Sequence, residues 1–184
     1  MFAKLGRRVI QADEIARSIV DQDHSVQSRI RAAFGASVFL SSGHLDRKAL
    51  ARIVFSDSAM RKKLNAIVHP VVFTRIDQEI QRLSHETRIP FVVIEAALIY
   101  ESGMERKLDY VLVINALEEN RIRRVMHRDH LSRREVLQRM HAQMPAEAKR
   151  KKADFVVDND GTEAELFSRI QFINTLISHM RTTP

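Results

Sequence analysis

The sequence predicts an α/β fold built on a parallel sheet, and three observations carry that prediction. Phe91–Ala96 (FVVIEA), Tyr110–Ala116 (YVLVINA) and Phe155–Val157 are short, nearly continuous apolar runs, the pattern of strands buried on both faces of a parallel sheet. Segments of helical period alternate with them along the chain. Two of the helical stretches, roughly 21–85 and 118–150, are too long for simple crossovers and read as insertions at the sheet's ligand edge.

Taken in order, Met1–Gly6 reads as the tail of a helix stopped by Gly6. Arg7–Ala12 is the first strand, and a helix over 14–20 follows. Ser25–Phe34 has Val26, Ile30 and Phe34 on one helical face, and Ser41-Ser42-Gly43 is a turn. Asp46 caps a helix whose apolar face is Leu50, Ile53 and Val54, and Ser56 or Asp57 caps the next, through Met60, Leu64, Ile67 and Val68. His69-Pro70 is expected to break that helix, with Pro70 in the first turn of another that buries Val72, Phe73, Ile76, Ile80 and Leu83. After the strand at 91–96 and the turn Leu98–Gly103 (LIYESG) comes the strand at 110–116. A helix from about Glu118 to His127 follows, then one opened by the capping box Ser132–Glu135 and stopped by Pro145, then a short basic helix over Ala146–Lys152. The strand at 155–157 ends in the turn Asp158–Gly161, and the last helix, about Glu163–His179, buries Leu166, Ile170, Ile173 and Ile177.

Composition excludes several classes. With 184 residues, 45% hydrophobic and 29% charged, the chain is long enough for one sizeable core and is not a disordered tail. No apolar run approaches a membrane-spanning length, and no apolar stretch follows MFAKLGRR as a signal peptide requires. The absence of cysteine removes disulfide and thiolate chemistry and fits a reducing cytoplasm. Net charge is +7, and its distribution is uneven. Residues 119–152 hold eleven Lys/Arg against four acids, and the remainder balances, so the whole excess lies in one segment suited to a polyanion.

Candidate chemistry concentrates in three places. Asp13 lies where the first strand meets its helix, with Arg17 one turn on; this suits a general base beside an anion-binding group, and helix capping explains the same Asp. Glu95 ends a strand, where a carboxylate reaches Mg²⁺ through water or bonds a neighbouring loop. Glu101, after an apolar turn, faces the same cleft in this reading. Arg121, Arg124 and Arg128 share one helix face, and with Arg139 they suit phosphate oxygens or a solvated surface. Nucleic-acid binding uses the same charge but lacks interleaved aromatics here. His127, His130 and His141 have no zinc spacing.

Seven segments, in order, resemble the dephospho-CoA kinase family over essentially the whole chain. VIQADEIAR resembles VIDADxIAR, and FG followed by GHLDRKALARIVF resembles FGxxIL…DGxLDRxxLxxxxF. NAIVHP matches xxIxHP, LIYESG resembles LLFExG, and RVMHRDHLS resembles RxxxRDGLS. RMHAQ matches RIxxQ, and KRKKADFVVDN matches KxxxADxVIDN. The resemblance implies a three-layer P-loop nucleotide-kinase fold, spanning 1–184 as a single kinase domain. Within it, 21–85 is a helical coenzyme-binding insertion and 118–150 a helical lid. It implies ATP-dependent phosphorylation of the ribose 3′-hydroxyl of dephospho-CoA, with Mg²⁺. Asp13 is then the base that takes the hydroxyl proton, and Arg139 contacts the transferring phosphates. Arg17, His69 and Glu101 fall on the dephospho-CoA side. Arg124, Arg128, Gln143 and Asn159 fall on the ATP and lid side, and Glu95 near the metal. Another nucleotide kinase of the same fold, a non-catalytic coenzyme-binding remnant and a basic nucleic-acid binder are the alternatives.

The sequence also departs from that pattern. Gln11 replaces the first acid of Asp-x-Asp, Glu95 an Asp, Ala97 a Pro, and His130 a turn Gly that positive φ favours. None of the five glycines (6, 35, 43, 103, 161) is followed by Lys-Ser or Lys-Thr, so the family's GxxGxGKS loop is not among these residues. Met1–Gly6 matches the end of the helix after that loop, which places the start roughly twenty residues late, allowing for a strand, the loop and two helical turns. The expectation is a sheet without its central strand, whose neighbours lack a partner, and little or no kinase activity in the chain as written.

Overall fold

The computed structural model describes residues 1–85 and 89–180. A single 3₁₀ turn, Phe2–Leu5, ends on Gly6 at φ 76°, the left-handed stop expected there. Then follow β1 (Arg8–Gln11), α1 (Ala12–Gln22), α2 (His24–Phe34), α3 (Arg47–Ser56) and α4 (Ser58–Ser84). The second half runs β2 (Val92–Glu95), α5 (Ile99–Ser102), β3 (Leu112–Asn115), α6 (Glu118–Asp129), α7 (Arg133–His141), α8 (Ala146–Lys152), β4 (Phe155–Asp158) and α9 (Glu163–Met180).

The fold is α/β with parallel pairing. Among the described residues the strands form two two-stranded sheets, β1 with β2 and β3 with β4. β3 and β4 run parallel, in the register Leu112 opposite Phe155 through Asn115 opposite Asp158. The expectation that the apolar runs are buried on both faces is not met. β3 leaves Ile114 45% exposed and β4 leaves Val156 37% exposed, while Val157 is buried. Apolar content alone does not distinguish a half-covered strand from a fully covered one.

The chain divides into two compact units. One comprises Met1–Val9 with the described parts of Glu86–Val93 and Leu98–Pro184; the other comprises Ile10–His85 and Ile94–Ala97. In the second unit α1, α2 and α3 all pack on α4. Val26, Ile30 and Val38 there have no exposed surface. In the first, α6 packs on α7, α8 on β3, and α9 on β4 and on the N-terminal 3₁₀ turn. Ile122 and Val136 are each 1% exposed there.

Local chemistry accounts for the helix ends. Asp23, Asp46 and Asp57 each accept two backbone N–H bonds as N-caps, at 2.7–3.2 Å. Ser132 and Glu135 form the capping box reciprocally. α4 corrects one expectation: His69-Pro70 does not break it, and the helix runs unbroken through Pro70. Pro70 has no N–H, so Ala66 loses its usual i+4 donor. Burial on both sides offsets that loss, with Ile67 and Val68 before the proline and Val72, Ile76 and Leu83 after it in the core. Thr74 Oγ1 donates to the Pro70 carbonyl at 3.1 Å.

His130 closes α6 at φ 54° and ψ 40°, and it is the one non-glycine at positive φ among the described residues. The departure from Gly noted in the sequence therefore sits at a left-handed position, which His occupies more readily than most residues.

Candidate functional site

The expected site residues fall in both units. Asp13, Arg17, His69 and Glu95 belong to the unit containing Ile10–His85 and Ile94–Ala97, and Glu101, Arg124, Arg128, Arg139, Gln143 and Asn159 belong to the other.

α1 begins earlier than the apolar pattern suggested, at Ala12, so Asp13 is the second residue of its first turn. The N-cap is Gln11, and the capping explanation for Asp13 is set aside. The Gln11 amide, oriented to satisfy its network, donates to Glu14 Oε1 at 2.9 Å. Asp13 is exposed and makes no side-chain hydrogen bond or ion pair among the described residues. Its carboxylate lies in the first turn of α1. Arg17, also exposed, does not pair with it despite the i, i+4 spacing. Glu95 is the last residue of β2, exposed, and likewise without a side-chain partner among the described residues, so the loop-bonded alternative for it is also set aside. His69 stacks on Phe73, with ring centroids 6.2 Å apart and planes at 22°.

In the other unit, groups from different elements meet at two places. The first is Asp129, which gathers two of the expected arginines. Arg128 Nε donates to its Oδ1 at 2.7 Å and Arg139 Nη1 to its Oδ2 at 3.1 Å. One carboxylate thus joins the end of α6 to α7 and holds two guanidinium groups together. The arginines are visible in the sequence; the acid that links Arg128 to Arg139 is not marked by any spacing, although it lies inside the segment RVMHRDHLS.

The second is the turn after β4. Arg124 Nη1 donates to the Asn159 carbonyl at 2.8 Å, so two more expected residues are in direct contact. Asp158 Oδ1 accepts from Asn115 Nδ2 and Arg150 Nη1, each at 2.8 Å. Asp160 accepts from the Leu117 N–H and from Asn120 Nδ2, both at 2.8 Å, and so supplies the cap that Leu117 cannot give α6. This knot lies at the C-terminal ends of the parallel pair β3 and β4, the edge where open α/β sheets bind ligands.

The Asn115 hydrogen bond, with the Arg150 and Arg169 charges, holds Asp158 below its ordinary range. The Asn120 bond and the Leu117 N–H, with the Arg124 charge, do the same for Asp160. A carboxylate depressed in the folded state stabilises fully above its unfolded pKa, about 3.9, and loses that contribution as pH falls through the lower folded value. The turn is therefore expected to hold unchanged from pH 8 to 5 and to loosen below about pH 4. Amide exchange at Leu117, compared across that range, reads it; loosening already at pH 6 contradicts the assignment.

Gln143 accepts from Lys149 Nζ at 3.5 Å, and Lys149 Nζ lies 3.1 Å from Glu101 Oε1. Glu101, expected on the substrate side, points into its own unit at 17% side-chain exposure. Burial, with the Asp154 and Glu105 charges, raises the neighbouring Tyr100 hydroxyl. Among the described residues no group of three or more His, Cys, Asp or Glu is placed to hold a metal ion. No described helix is long and apolar enough to cross a membrane.

The family model for dephospho-CoA kinase (CoaE) matches residues 1–165. The dephospho-CoA kinase of Geobacter sulfurreducens is 43% identical over 173 residues, covering 94% of this chain and 87% of the relative. That of Bacillus licheniformis is 40% identical over 171 residues, covering 90% and 84%. Among solved structures, TT1252 from Thermus thermophilus superposes with a TM-score of 0.77 at 37% identity, covering 95% of this chain and 86% of that one. The dephospho-CoA kinase from Campylobacter jejuni gives 0.66 at 29% identity, covering 98% and 89%. On the family match and these identities, the chain belongs to the dephospho-CoA kinase family.

Proposed function

We propose that these residues serve the ATP-dependent phosphorylation of the ribose 3′-hydroxyl of dephospho-CoA, giving coenzyme A. The family supplies the reaction, and one observation carries the assignment of its base. Asp13 presents an exposed carboxylate, unpartnered among the described residues, at the turn from β1 into α1. In this reading Asp13 takes the 3′-hydroxyl proton as the oxygen attacks the γ-phosphorus and ADP leaves. Phosphoryl transfer asks for positioning and charge neutralisation more than for covalent chemistry by the protein. Arg139 and Arg128, gathered by Asp129, neutralise the transferring phosphates, with Arg124, Gln143 and Asn159 on the ATP side. Arg17 and His69 bind dephospho-CoA, residues 21–85 form its helical platform, and 118–150 form a lid that excludes water.

The residues fit a magnesium ion in one respect. Mg²⁺ is usually bound through one or two carboxylates together with substrate phosphates, and the Glu95 carboxylate has no side-chain partner among the described residues. Glu95 would hold Mg²⁺ through water, and the ion would supply charge neutralisation at the β- and γ-phosphates.

The 184-residue chain contains no GxxGxGKS loop, and we expect it to form no coenzyme A above background when given ATP and dephospho-CoA. Joined behind a segment carrying a strand and that loop, it is expected to turn over, with dephospho-CoA preferred in a panel of nucleosides and nucleotides. Preference for another acceptor supports a different nucleotide kinase. Dephospho-CoA binding without turnover in the joined protein supports a non-catalytic remnant. Turnover at ordinary rates by the 184 residues alone refutes the expected inactivity.

A further inference from the structure

We infer that Glu101 is a positioning residue, one that holds the phosphate-binding arm in register through Met144 and Lys149 and so acts through Arg139. The inference rests on the reading under Proposed function. Glu101 lies in α5, the single turn after β2, and its Oε1 accepts the Met144 N–H at 2.6 Å. The same oxygen is 3.1 Å from Lys149 Nζ, and both side chains are 17% exposed. Lys149 Nζ in turn donates to Gln143 Oε1 at 3.5 Å.

These contacts meet at one turn. α7 ends at His141 and α8 starts at Ala146, so residues 142–145 connect the helix carrying Arg139 to the basic helix α8. Met144 lies just past the last backbone bond that follows α7, from the Gln143 N–H to the Met140 carbonyl at 3.1 Å, so its N–H is a donor for which helix bonding offers no acceptor. Glu101 supplies that acceptor from a distant part of the chain. A carboxylate this far from solvent is retained only with partners, and here they are an ammonium and a backbone donor. The second oxygen, Oε2, is buried and meets no partner, so the carboxylate does not reach out toward substrate. Fixing Met144 fixes the C-terminal end of α7 and therefore the register of Arg139, one turn before Gln143. A displacement of about 1 Å in a phosphate-positioning group costs up to ~10²-fold in function.

The test measures tripolyphosphate affinity of the 184-residue chain at low salt by calorimetry, with amide exchange at Met144 as a second readout. Glu101→Gln keeps the shape and removes the charge; Lys149→Met removes the same ion pair from the other side, should the first variant fold poorly. Each is expected to weaken tripolyphosphate about tenfold and to speed exchange at Met144. In an Arg139→Ala background, neither is expected to weaken it further, because the effect passes through Arg139. Unchanged affinity in both single variants overturns the inference and leaves the functional reading standing. An equal loss with and without Arg139 means that Glu101 touches the ligand itself and also overturns the inference. No binding by the parent chain overturns this inference, while the functional reading is decided separately, by turnover in the chain joined to a phosphate-loop segment.

Discussion

Asp13→Asn is expected to lower phosphoryl transfer to dephospho-CoA by about 10²–10⁴-fold, the usual contribution of a positioned general base. The measurement belongs in the chain joined to a phosphate-loop segment, where the parent turns over. Asparagine keeps the size and the hydrogen-bonding reach of the side chain but cannot take a proton, so acceptor binding should survive while kcat falls. The side chain caps no helix and pairs with no cation among the described residues, so its removal leaves no broken internal contact. The thermal midpoint should therefore move little, which separates loss of chemistry from loss of fold. Arg17→Ala offers the contrast: a residue that binds the acceptor equally in ground and transition states raises KM with kcat nearly unchanged. If Asp13→Asn retains turnover within tenfold of the parent, another group is the base. Glu14, held by the Gln11 amide, is then the carboxylate to examine next.

The order of strands and helices was legible from periodicity because each element follows its own local pattern. Asp46 and the Ser132–Glu135 box were legible for the same reason: a cap is a short-range hydrogen bond, set by residues two or three apart. The misreadings share a cause. At Pro70, local chemistry favours a break, and core burial before and after it decides the outcome. At Asp13, an acid near a helix start suggests a cap, and the cap is displaced when the helix begins two residues sooner. The arginines of 118–150 stood out through charge density, which is a property of composition. The Arg139–Asp129 contact and the Glu101–Lys149 pair, each at 3.1 Å, depend on which residues the fold brings together, and no spacing rule states that. The same holds for Asp160, which caps a helix starting more than forty residues before it.

The largest stability effect is expected at Ile30. It lies on the inner face of α2 with no exposed surface, in the same unit as Val26 and Val38, which are equally covered. Cutting Ile30 to Ala removes three buried carbons and leaves a cavity that α4, itself packed by α1, α2 and α3, cannot close by moving toward one neighbour alone. Large-to-small changes of this kind cost about 2–5 kcal/mol. In a unit of this size each kcal/mol shifts the midpoint by about 4–8 °C, so a loss of ~3 kcal/mol lowers it by roughly 10–25 °C. Leu40→Ala is the matched control in the same unit: Leu40 is 52% exposed, and its truncation should stay within about 0.5 kcal/mol. Thermal unfolding followed by amide exchange in α2 and α4 distinguishes the two, and a cost below about 1 kcal/mol at Ile30 would show that this core is not packed as described. The consequence reaches function through α1, which packs on both α2 and α4 and carries Asp13 in its first turn. In the joined enzyme, Ile30→Ala should therefore lose activity with temperature well before Leu40→Ala does. Its rate at low temperature should stay near the parent's, because the carboxylate itself is untouched.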